Sequence, residues 1–374
     1  MKKRKLLLIG VLIWNFNSLL GQSFCSTPSI SSNLNLNSSF QMRTANNDSY
    51  CLRIYFHVIR RSNGTGGQSV ENVEEAFNIL NQDFNPHNIS FNWDETINYI
   101  DNDSYYSTPS TAIFNVNNHD DGIDIYLYDD SSSSGGRANG VGESSEFWVS
   151  GTYWNPPNNP LTTSHVISHE MGHVLYLWHT HHGTFDEGGN DNPCAELVNG
   201  SNSDTCGDYV SDTPADPHLQ FDVNSSTCEW NSFGTDANGD SYDPDEQNVM
   251  AYTDINCMEY FSEGQGVRMR NAIATLPYLQ QAIADNCSIQ ELSSIDQLCY
   301  SESKTLTISD IQDNITTWQV SSNVTILSSN NGSITVRGKY SNSTGNGWVK
   351  ATLSNGIVLQ EDFKVGVPDV SVIT

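Results

Sequence analysis

Lysine and arginine are scarce: 16 stand against 44 aspartates and glutamates in 374 residues, giving a formal net charge of −28 at pH 7. Phosphate binding needs clustered cations, so the composition argues against a nucleic-acid partner. Long apolar runs are also missing. No stretch approaches the roughly 20 apolar residues that a membrane-spanning helix requires, so insertion into a bilayer is not expected. The acidic stretch Asp236-Ala-Asn-Gly-Asp240 spaces oxygen atoms alternately but lacks the Gly and Glu of a complete EF-hand loop, which leaves a solvated turn.

What is present begins with a cationic start, Met1-Lys-Lys-Arg-Lys5, followed by the apolar run Leu6 to Trp14. That order is the pattern of a secretory signal peptide, here residues 1–21, and implies a secreted, extracellular protein. Residues 22–48 are rich in Ser, Asn and Thr and suit a pro-segment or linker. The length beyond them leaves room for two folded units.

The first unit, residues 49–290, opens with alternation over Leu52 to Ile59, which predicts a strand. Val73, Ala76, Phe77, Leu80 and Phe84 then fall at helical spacing over Val70 to Phe84. Further strands are expected at Ile89 to Trp93 and at Gly122 to Tyr128, and helices at Thr163 to Tyr176 and Gly264 to Ala284. The stretch from His179 to Asn248 is irregular and rich in Asp, Asn, Gly and Cys, so it needs staples or ions to hold it. Short alternating runs between Asn and Gly turns, among them Ser333-Ile-Thr-Val-Arg, fill residues 300–374 and predict a small β-sandwich. The fold class expected is therefore α+β, a mixed twisted sheet with helices, followed by that sandwich.

His169-Glu-Met-Gly-His173 puts two imidazoles on one helix face at a spacing that grips one zinc. Glu170 beside them can take a proton from a zinc-bound water attacking a peptide carbonyl and return it to the leaving amine. A chance match on a surface helix is the bland alternative. The apolar backing of Val166, Ile167, Val174, Leu175 and Leu177 argues against it. His179 follows six residues after His173, which makes the whole resemble the metzincin pattern. Tyr176 stands where that pattern has Gly; a left-handed turn there costs Tyr roughly 1–2 kcal/mol. His165, His181 and His182 read more simply as solvated.

Asn248-Val-Met-Ala-Tyr252 resembles the metzincin turn whose methionine underlies the metal, with Met250 as the floor. Cys206-Gly-Asp-Tyr-Val-Ser-Asp-Thr-Pro214 lies between the histidines and this turn, and Cys257-Met-Glu-Tyr-Phe-Ser-Glu-Gly-Gln265 follows it. Over His165 to Met269 these blocks occur in the order of the pappalysin family of metzincins, including its secreted bacterial members. The resemblance implies a metzincin-like catalytic domain that cleaves protein or peptide substrates. It also implies Tyr252 as a phenol near zinc and a structural calcium held by Asp208 and Thr213. It implies nothing for the sandwich.

Eight cysteines in an exported chain read as disulfides. Spacing does not fix their connectivity; the pairs expected are Cys194 with Cys206, Cys228 with Cys257, Cys287 with Cys299, and Cys25 with Cys51. The alternative for Cys25 is a thiolate on zinc that keeps the enzyme latent. Two rival readings remain: a secreted binding or adhesion protein with an inactive peptidase shell, and a zinc peptidase whose third ligand is a downstream glutamate such as Glu196. The intact Glu170 opposes the first and the Met250 turn the second.

Overall fold

Ile54, Phe56 and Val58 point to one side of strand β1 (Tyr50–Arg60), and their burial there organises the N-terminal half. In this computed structural model residues 25–33, 46–129, 135–151, 165–184, 194–285, 292–309, 314–354 and 358–366 are described. The signal peptide and Cys287 lie outside them. Helix α1 (Val70–Phe84) starts where the Ser69 side chain accepts from the Asn72 N–H, and it buries Val73, Ala76, Leu80 and Phe84. Strands β2 (Ile89–Asn92) and β3 (Ile97–Asp101) follow, both parallel to β1. A short helix α2 (Asp103–Ser107) leads to β4 (Ile123–Tyr128), β5 (Gly136–Ala138) and β6 (Glu146–Ser150).

The sheet order is β2-β1-β4-β6-β5, with β3 also on β1. Every pairing is parallel except that of β5, the antiparallel edge strand, with β6. Ile125, Leu127, Phe147 and Val149 face α1 and helix α3 (Val166–Val174) in the main core. Tyr126, Tyr128 and Trp148 face the other way, under Ile113 and Phe114.

Two helices replace the single one expected over Gly264 to Ala284: α4 (Glu263–Ile273) and α5 (Pro277–Gln281). Pro277 has no N–H to continue the ladder and disfavours helix in the residue before it, so the chain restarts there. Ser262 and Gln265 form a reciprocal capping box at the start of α4. Beyond it, β7 (Gln297–Leu298), β8 (Lys304–Thr307), β9 (Ile315–Val320), β10 (Val324–Asn330), β11 (Ser333–Gly338), β12 (Gly345–Leu353) and β13 (Val358–Val365) make two small sheets, β10-β11-β8 and β7-β13-β12-β9, around their own core. The chain is thus a mixed α+β unit followed by a β-rich region.

Disulfides join Cys194 to Cys206 and Cys228 to Cys257. The other two expected pairs are corrected. Cys25 and Cys299 are not joined to those partners by a disulfide, and Cys51 is disulfide-bonded without Cys25. Residues 25–33, within the stretch expected to be a pro-segment or linker, start on the edge of β5, where Cys25 bridges to Gly136.

Candidate active site

Helix α3 carries His169, Glu170 and His173, all fully buried. The helix ends at Leu175, and Tyr176 takes a φ of 74°, the left-handed turn that the sequence pattern requires. That turn brings the chain back so that His179 Nε2 lies 3.0 Å from His173 Nε2 and 3.2 Å from His169 Nε2. His169 Nδ1 is 2.7 Å from the Val249 carbonyl and His173 Nδ1 2.9 Å from the Leu177 carbonyl. A carbonyl only accepts, so both protons sit on Nδ1 and the Nε2 lone pairs face the centre. Burial pushes the pKa of His169 down to about 4, and those of His173 and His179 down as well, keeping the rings neutral. Converging neutral imidazole lone pairs fit a zinc ion.

Met250 lies under this helix. A Cβ on Gly172 would come within 2.6 Å of its sulfur, so Gly is needed at the contact. The turn holding Met250 is tied to α4 by two amide hydrogen bonds of 3.0 Å between Asn248 and Gln265. The Tyr252 ring lies 4.6 Å from that of His179.

The N-terminal segment fills the cleft. Cys25 Sγ is 3.5 Å from His173 Nε2 and groups with the three histidines as a possible metal ligand. Two residues on, Thr27 Oγ1 donates to Glu170 Oε2 at 2.6 Å, and the Ala138 N–H donates to the same oxygen at 2.9 Å. Tyr252 donates its phenol to the Cys25 carbonyl at 3.0 Å. Burial raises the Glu170 pKa to about 7, opposed by hydrogen bonds from Thr27, Cys25 and Ala138 and by the charge of Arg137. Sequence reasoning named Cys25 and missed Thr27, although a spacing of two in an extended segment puts both on one face.

Asp208 and Thr213 also come together: Thr213 Oγ1 is 3.1 Å and 3.0 Å from the two Asp208 oxygens. Glu196 is beside them against Gly207, not with the histidines; its Oε2 is buried with no hydrogen-bond partner among the described residues. Burial lifts Asp208 to about 7, and burial with the charge of Asp208 lifts Glu196 to about 8. Two carboxylates so disfavoured as anions fit a hard cation between them.

The three histidines read as solvated are buried. His165 Nδ1 pairs with Asp83 at 2.7 Å, His181 stacks on His179, and His182 stacks on Trp178. A second histidine cluster lies on the opposite face of the sheet. His57 and His119 both meet Asp124 Oδ1, at 2.6 Å and 2.7 Å, and these are the distances of hydrogen bonds to one shared carboxylate.

Residues 132–274 match the family model described as pregnancy-associated plasma protein-A. Extracellular metalloprotease 1 of Coccidioides posadasii is 27% identical over 232 residues, 58% of this chain and 74% of that protein. An extracellular metalloprotease of Colletotrichum graminicola is 26% identical over 299 residues, 68% of this chain and 91% of that one. Among solved structures, the kinase region of twitchin from C. elegans aligns with a TM-score of 0.15 and 16% identity over 37% of this chain and 28% of its own, too little to bear on the fold.

Proposed function

Through residues 132–274 the chain belongs to the pappalysin family of metallopeptidases, and from that premise we propose that it is a secreted, zinc-dependent endopeptidase of metzincin type, acting on protein or peptide substrates. The observation that carries the reading is the convergence of the Nε2 atoms of His169, His173 and His179, with the Nδ1 atoms of the first two committed to backbone carbonyls. Zinc held there supplies Lewis acidity, polarising a carbonyl and acidifying water. Glu170 is the general base. The Ala138 N–H orients its Oε2, and the place now taken by the Thr27 hydroxyl is where a water would donate its proton to that oxygen. Glu170 then passes the proton to the leaving amine. The Tyr252 phenol, now donating to the Cys25 carbonyl, is placed to donate to a substrate carbonyl oxygen once the segment leaves.

Cys25 gives this reading a latent form, in which its thiolate is a fourth ligand and the segment blocks the cleft. Asp208, Thr213 and Glu196 are proposed to hold calcium. The cationic and apolar N-terminus and the names of the two fungal relatives support secretion. Among the described residues no helix is long and apolar enough to cross a membrane.

Metal analysis of the purified chain is expected to find one zinc per chain, lost in His179→Ala and retained in Glu196→Gln. Glu170→Gln should keep the zinc while peptide cleavage falls about 10²- to 10⁴-fold. A zinc-replete, active His179→Ala protein would refute the assignment, and near-normal cleavage by Glu170→Gln would move the base elsewhere.

A further inference from the structure

The edge strand β5 presents two faces to anything laid beside it. Gly136 and Ala138 are on the side of Glu170, and the Cβ that Gly136 lacks would meet that carboxylate. Arg137 alternates to the opposite side, where its register partner is Trp148. A cavity of about 460 Å³ opens there, lined by Arg137 and Trp148, by Thr108, Ser110 and Thr111 from the loop above, and by Ser26 of the N-terminal segment. This face is separate from the metal ligands.

Two buried donors on the residues that line this cavity have no acceptor among the described residues. Trp148 is 3% exposed and its buried Nε1 has no hydrogen-bond partner among the described residues. The Arg137 Nε is likewise buried and unpartnered, while its Nη1 donates to the Ser26 carbonyl at 2.9 Å. Among the described residues no carboxylate lines the cavity, in a chain that carries 44 of them. A guanidinium fork beside an indole N–H and three hydroxyls suits a carboxylate.

The N-terminal segment shows how a bound peptide reaches this place. From Cys25 to Ser31 burial alternates residue by residue, as in an extended strand. Cys25 and Thr27 turn to the histidines and Glu170, and Ser26 between them turns to the cavity. A substrate laid along the same edge alternates in the same way, so a side chain next to one facing the catalytic groups enters the cavity. Resting on the peptidase reading, we infer that Arg137 and Trp148 form a specificity subsite that selects an aspartate or glutamate of the substrate close to the scissile bond.

The full chain carries its own probe at that position. Ser26→Glu should hold the segment more tightly than Ser26→Gln, so alkylation of Cys25, followed by mass spectrometry to separate it from Cys299, should be about tenfold slower. In an Arg137→Gln background the two should label alike, and Arg137→Lys should restore part of the difference. Equal labelling of the two variants in the Arg137 chain, or a difference that survives Arg137→Gln, would overturn the subsite. This readout needs no catalysis, so a zinc-replete chain that cleaves nothing even after removal of the segment would refute the peptidase reading and leave this test standing. In a chain processed to remove the segment, peptides with Glu at one fixed position should exceed their Gln counterparts about tenfold in kcat/KM, and Arg137→Gln should bring that ratio to one. An absence of acidic preference at every position would also overturn the proposal.

Discussion

Tyr176 shows how one residue can satisfy a backbone requirement and still resist replacement by the residue usually preferred there. Its φ of 74° suits Gly, which suggests from sequence that Tyr176→Gly would relieve strain. The structure gives the ring other work. It is fully buried, packs against Gly142, lies 4.5 Å below the Arg268 guanidinium, and donates its hydroxyl to the Asn33 carbonyl at 2.6 Å. Emptying that volume costs about 3–5 kcal/mol against roughly 1–2 kcal/mol of strain relieved. Tyr176→Gly should therefore lower the melting temperature while retaining zinc. An unchanged or raised melting temperature would show that strain dominates. At Cys25 the expected effect is on activation: Cys25→Ala should cleave peptides without N-terminal processing, whereas the unaltered chain requires it. Equal activity of the two unprocessed proteins would remove Cys25 from the latency reading.

At the scale of elements, what was legible was whatever announces itself within one turn or one strand. Helix α1 and strand β4 follow from period alone, and His169, Glu170 and His173 are adjacent in the chain before they are adjacent in space. What was not legible depends on partners far away. The placing of Cys25 beside His173, 148 residues on, which the sequence offered only as the alternative to a disulfide, and the burial of His165 against Asp83, have no local signature. The break at Pro277 did have one, and periodicity overrode it. Contact between α3 and the Met250 turn supplies a prediction at this scale. Gly172→Ala puts a carbon within 2.6 Å of the Met250 sulfur, so the turn must shift. Overpacking of this kind costs about 1–3 kcal/mol. Because Val249 in the same turn holds His169 in place, zinc affinity should fall too. Gly172→Ala combined with Met250→Ala should recover part of the loss, and a double variant no better than the single one would argue against this contact.

Over the whole molecule, a chain of net charge −28 must hold a long stretch, residues 194–248, that contributes no helix or extended strand of its own. Two disulfides restrain that stretch, one closing it on itself and one tying it to Cys257. Asp208 and Glu196 hold their protons to about pH 7 and 8 in the folded chain, mainly through burial. Unfolded, such groups release them near pH 4. Between those limits the folded state binds more protons than the unfolded one, so without calcium stability should fall as pH rises from about 4 to about 8. Calcium replaces the protons, so its stabilising effect should be smallest at the acid end of that range and grow toward the alkaline end. Melting curves at fixed zinc, with and without calcium, should diverge as pH rises, and Glu196→Gln should reduce the divergence by removing one of the two charges. Curves that stay parallel from pH 5 to pH 8 would withdraw Asp208, Thr213 and Glu196 as calcium ligands and leave the two carboxylates as a protonated pair.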